Sequence, residues 1–111
     1  MGYHEYQKCI DACLKCAALC DHCASACLKE QDIDKLRKCV QLDMECAIVC
    51  YTAAQLMSLG SDKATEYCRL CAAFCRACAA ECEQHGQNGM RHCAECADAC
   101  KACAEECEMM L

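Results

Sequence analysis

Cysteines recur along this chain at steps of 4, 3, 4, 3 and 4 in one segment, through Cys9, Cys13, Cys16, Cys20, Cys23 and Cys27. They step 3, 4, 3 and 4 in two others, through Cys68, Cys71, Cys75, Cys78 and Cys82 and through Cys93, Cys96, Cys100, Cys103 and Cys107. An alternation of 3 and 4 is the a/d repeat by which helices pack against each other, whereas a half-buried strand repeats every two residues. Each of the three segments must therefore be a helix that turns a stripe of thiols toward its neighbours. Composition agrees, because 19 of 111 residues are cysteine while Leu, Ile, Val and Phe together number 15. So few large aliphatics would leave a chain unfolded unless the cysteines occupy the interior.

Proline is absent, and the four glycines, Gly2, Gly60, Gly86 and Gly89, fall where the repeat breaks. The pattern predicts four helices, from His4 to Lys29, Asp34 to Ser58, Asp62 to Gln84 and Met90 to Met109. Gly60 reads as a C-terminal glycine and Ser61, with Glu66 beyond it, as the N-cap of the third helix. Turns this short force antiparallel neighbours, so the expectation is an all-α, up-down-up-down four-helix bundle with a cysteine-lined core, one domain over residues 1–111. Alanines flank the thiols, among them Ala12, Ala17, Ala72, Ala79, Ala97 and Ala104, which lets the helices approach closely.

The second helix departs from this rule, its inward register holding Cys39, Asp43, Cys46, Cys50, Ala53 and Met57. Leu42, Val49 and Leu56 on one side, and Val40, Ala47 and Ala54 on the other, make it the conventional apolar wall. Met44, Ile48 and Tyr51 form an apolar stripe on its outer face, where a subunit contact is expected.

A net charge of -6 and a pI near 5.1 provide no basic surface for nucleic acid or an anionic membrane and favour cations as partners. No apolar run reaches the roughly 18 residues of a membrane-spanning helix, and Met-Gly-Tyr-His-Glu has neither a basic region nor an apolar one, so a cytoplasmic protein is expected. In a reducing compartment 19 cysteines do not read as a disulfide scaffold, and an odd number cannot pair completely within one chain.

Thiols that persist in such number invite metal. Cysteine as a mere buried hydrophobe suits one or two positions, not a seam on three helices. Thiol redox catalysis, a lesser alternative, needs reactive cysteines near loops or helix N-termini, and most of these lie in helix interiors. The run Cys68, Cys71, Cys75, Cys78 spreads its sulfurs over about 15 Å of helix, too far for one helix to chelate a compact iron-sulfur cluster, which leaves only a cluster shared between helices as a minor alternative. The remaining choice is zinc or copper(I). Four thiolates around each Zn2+ leave a charge of -2 per site, costly when repeated in a dry core. Thiolates that each bridge two cuprous ions give a neutral core at one ion per thiolate, and soft sulfur favours copper(I). CxxxC pairs at 9/13, 16/20, 23/27, 46/50, 71/75, 78/82, 96/100 and 103/107 put two sulfurs on adjacent turns of one helix face. All 19 cysteines are therefore candidate ligands for copper(I), with zinc as the alternative ion. The chain is read as a metal-binding protein, not an enzyme.

On these repeated CxxxCxxCxxxC segments the chain resembles the cysteine-rich four-helix-bundle copper storage proteins of bacteria, and specifically their cytosolic branch. The resemblance covers essentially the whole chain. It implies a homotetramer of bundles, each filled with many copper(I) ions held mainly by CxxxC thiolate pairs, with occasional His, Met or carboxylate ligands near the mouth. The sparse second helix and Asp43 depart from that pattern, and Asp43 becomes a weaker candidate ligand. His85, one step beyond Cys82, together with Met90 and His92, gathers soft side chains at one end, as candidates for admitting copper. His22 falls on the outer face. Tyr6, Met57, Met109 and Met110 stand at the opposite end, where plugging the tube is expected ahead of passing copper by thioether. No motif points to a particular donor or acceptor of the metal.

Overall fold

The computed structural model describes residues 2–111, so Met1 of the expected domain lies outside it. Its elements are α1 (Tyr3–Leu28), a 3-10 turn (Ile33–Leu36), α2 (Arg37–Ser58), α3 (Ala64–Gln87) and α4 (Arg91–Met109). Among the described residues there is no strand. The helices form an antiparallel square in which α1 meets α2 and α4, and α3 meets α2 and α4. The result is a rod of 45 × 18 × 17 Å, one helix length long and two helices wide.

The ends of the helices depart from the sequence expectation in ways that have physical causes. Glu5 accepts the Gly2 N–H at 3.1 Å, which anchors the first turn of α1. Ahead of α2, Asp34, Lys35 and Leu36, expected to be α-helical, wind more tightly in the 3-10 turn Ile33–Leu36, and Leu36 at its end is fully buried. α2 ends as expected at Gly60, whose φ of 65° is left-handed. Ser61 N–H then reaches Leu56 O at 3.0 Å and Gly60 N–H reaches Met57 O at 3.1 Å, the paired bonds of a glycine-terminated helix. Ser61 does not cap α3 itself. Its Oγ accepts the Lys63 N–H at 3.1 Å, and the helix begins only at Ala64.

α3 overruns its expected end at Gln84 and continues through Gly86 to Gln87. Glycine is needed at position 86 for space: a Cβ there would sit 2.9 Å from Ala94 Cα, so the last turn of α3 lies directly on the first turns of α4. The following turn reverses at Gly89, with Met90 N–H bonded to His85 O at 3.2 Å.

Every cysteine is buried. Alanines at 17, 47, 53, 72, 79, 97 and 104 are buried beside them, and Val40, Leu42 and Val49 pack against this core as a partly exposed flank. Thiols are short and alanines small, so sulfurs from diagonally opposed helices also meet: Cys13 and Cys71 lie 4.0 Å apart, as do Cys50 and Cys103. Outside, Arg76–Glu108 at 2.7 Å and Lys101–Glu83 at 2.9 Å tie α3 to α4. Exposed pairs of this kind contribute at most about 1 kcal/mol each, so the bundle depends on its interior.

Candidate metal centre

The a/d register delivers the thiols to the axis in successive layers. At one end Cys9 lies 3.7 Å from Cys107, and Cys68 donates toward the Met57 sulfur at 3.6 Å. Further in, Cys13 meets Cys103 at 3.6 Å, Cys16 meets Cys100 at 3.6 Å and Cys50 meets Cys71 at 3.6 Å. Cys46 lies 3.7 Å from Cys75, and Cys96 lies 3.7 Å from Cys20. Toward the far end come Cys39–Cys82 at 3.5 Å, Cys23–Cys93 at 3.8 Å and Cys27–Cys93 at 3.8 Å.

Within single helices the CxxxC pairs 16/20, 23/27, 46/50, 71/75 and 78/82 close to 3.9 Å. At 9/13, 96/100 and 103/107 the close partners lie instead on other helices, as the pairs Cys9–Cys107, Cys96–Cys20, Cys100–Cys16 and Cys103–Cys13 record. The shortest approaches in the core are thus between helices. Sequence spacing finds the clips along one helix but not these cross-helix pairs, which depend on how the helices are rotated and staggered.

Sets of four sulfurs lie mutually within 4.8 Å, all buried: Cys13, Cys71, Cys103, Cys107; Cys16, Cys46, Cys50, Cys75; Cys16, Cys20, Cys46, Cys100; Cys20, Cys78, Cys96, Cys100; and Cys23, Cys27, Cys39, Cys93. Cys16, Cys20, Cys46 and Cys100 each belong to two sets, so the three central sets merge into one ladder, with the other two at its ends. With metal–sulfur bonds of about 2.3 Å, a trigonal ion spaces its sulfurs by about 4.0 Å and a linear one by about 4.6 Å. Separations of 3.5–4.0 Å therefore suit trigonal ions, or tetrahedral ones at about 3.8 Å, as they stand, and linear ions only after side-chain rotations.

Burial disfavours the thiolate of Cys27 and raises its pKa to about 11, reinforced by Cys39. Binding of a cation must consequently displace protons. Asp43 interrupts the ladder fully buried, and its carboxyl accepts thiols from Cys78 at 3.2 Å, Cys82 at 3.3 Å and Cys96 at 3.4 Å. Desolvation, with Cys96 adding to it, pushes this carboxyl up to about 8.

The two ends differ. Tyr6 and Met57 are buried and close the first, with Met110 packed partly against the core, but Met109 is exposed and takes no part in the plug. At the other end His92 Nε2 lies 3.4 Å from Cys27 Sγ, and Met90 packs partly buried against the core. His85 Nε2 is 2.9 Å from Glu81 Oε2. His22 is exposed, as its register required. Glu81, only 8% exposed, was not singled out by the sequence; its i,i+4 relation to His85 was the available signal. Met44, Ile48 and Tyr51 are exposed on α2, with Tyr51 Oη donating to Asp21 at 3.1 Å.

A cytosolic copper storage protein from Streptomyces lividans, seen with five coppers, is 39% identical with a TM-score of 0.90, over 95% of this chain and 90% of that one. The Cu(I)-bound copper storage protein BsCsp3 is 42% identical with a TM-score of 0.87, over 95% of this chain and 96% of that one. An uncharacterized cysteine-rich protein of Bacillus subtilis (strain 168), YhjQ, is 42% identical over 66 residues, 60% of this chain, and the match spans 61% of that relative's length. The family model for copper storage protein matches residues 3–111, and the chain belongs to that family.

Proposed function

We propose that the whole chain is one copper(I) store, in which all 19 thiols act as ligands and successive ions share thiolates along the bundle axis. The observation that carries this reading is the sharing of Cys16, Cys20, Cys46 and Cys100 between adjacent four-sulfur sets. Isolated tetrahedral ions would compete for those sulfurs, whereas bridging copper(I) uses each of them twice. The copper carried by the Streptomyces lividans and BsCsp3 proteins supports the choice of metal. The protein binds and holds its ions without a turnover step, and Asp43 offers a carboxylate oxygen within the ladder. Copper passes through the end bearing His85, Met90 and His92, since Tyr6 and Met57 close the other.

The exposed stripe of Met44, Ile48 and Tyr51 is the contact surface of a homotetramer in this reading. A cytoplasmic location is supported by the cytosolic Streptomyces lividans relative; among the described residues no helix is long and apolar enough to cross a membrane. The direct test is parallel anaerobic loading of reduced protein with copper(I) and with zinc. Copper should load to about one ion per thiolate, and zinc to about four or five ions if each takes four thiolates. Equal numbers of both ions, with no preference for copper, would instead favour a zinc buffer.

A further inference from the structure

Glu81 is a buried carboxylate that the thiol ladder does not use. It sits at the last turns of α3, one residue before Cys82, and its Oε2 lies 2.9 Å from His85 Nε2. Its other oxygen faces the Lys38 Nζ of α2 at 3.9 Å. An ionised carboxylate only accepts hydrogen bonds, so the imidazole nitrogen facing it is the one that carries the proton. A neutral ring has one N–H, which leaves Nδ1 unprotonated, and Nδ1 has no hydrogen-bond partner among the described residues. Both side chains are largely enclosed, at 15% and 10% exposure, and they share one rigid helix face.

We propose that Glu81 is the positioning residue of the mouth: it fixes His85 in the tautomer protonated on Nε2, so that Nδ1 is presented as the lone pair for incoming copper(I). A carboxylate behind a ligating histidine sets ring orientation and raises the basicity of the other nitrogen. The proton balance is simple. Copper accepts the Nδ1 electron pair, the Nε2 proton stays shared with Glu81, and nothing leaves the ring. The inference rests on the reading that copper enters at this end.

The test uses the full-length, reduced, metal-free protein with 15N-labelled histidine at neutral pH. Long-range 1H–15N NMR should show His85 protonated on Nε2, and loading to the full copper(I) count, supplied anaerobically from a weak chelator, should shift the Nδ1 resonance. Glu81→Leu should mix the tautomers and slow uptake of the first ions by about tenfold with the final copper count unchanged. Glu81→Gln, whose amide oxygen can still accept from Nε2, should restore most of both, which also guards against misfolding of the leucine variant. If His85→Ala slows uptake but Glu81→Leu keeps the wild-type tautomer and rate, Glu81 has no positioning role. If His85→Ala loads as fast as wild type, copper does not use this imidazole, and the reading of the mouth fails together with the inference.

Discussion

Individual side chains divide the tasks of holding and admitting metal. In the proposed reading affinity resides in buried thiols, and exchange in partly enclosed soft groups at the α3–α4 end. Replacing His85, Met90 and His92 together by Ala or Leu should slow loading and chelator-driven removal about tenfold while leaving the copper count nearly intact. Stopped-flow uptake followed by total copper analysis checks this, and substitutions of Met57, Met109 and Met110 should do much less. Slowing by the second set alone would place the access route at the α1 N-terminal end. Asp43 gives a second prediction, for the metal-free protein. Its carboxyl titrates near 8 when folded and near 4 in an unfolded chain, so between those values only the folded state keeps the proton. Stability from Asp43 should thus be lost as pH rises from about 4 to 8, and urea titrations across that range should show the slope reduced in Asp43→Asn. An identical slope in both proteins would mean that Asp43 ionises normally in the core.

At the scale of the helix, the repeat of 3 and 4 made three of the four elements legible, because only one face of a helix can hold such a series. Asp43 and Met57 were also placed inward by register alone, and both are fully buried. What the spacing could not supply was contact between helices: the Cys39–Cys82 pair at 3.5 Å and the fit of Gly86 against Ala94 depend on rotation and stagger that no single segment encodes. Gly86 looked like part of a turn, because glycine ends helices more often than it sits inside them. Its actual role predicts that Gly86→Ala will destabilise the metal-free protein by about 1–3 kcal/mol through overpacking, measured by urea unfolding. The outer face of α2 makes a different prediction. Ile48 is 66% exposed, and replacing Ile48 and Tyr51 by Glu should give smaller assemblies on a sizing column if this face joins subunits. Unchanged assembly would move the contact elsewhere.

Across the whole molecule, a bundle whose alanine-rich helices already bury every thiol should be folded before metal arrives. The metal-free protein should show a helical circular dichroism spectrum, and copper should raise its melting temperature by binding the folded state alone. A random-coil spectrum without metal would make binding and folding a single event, as in small zinc domains. The central claim is that the sulfurs form one shared ladder, and counting ions tests it most directly. Fully reduced protein is titrated anaerobically with copper(I) against a competing chelator, and bound copper is quantified per chain. Sharing of thiolates predicts saturation at about 15–20 copper ions per chain, close to one per thiolate. Saturation below about six would mean that each ion keeps its own set of sulfurs, and the account of a bridged copper store would be wrong.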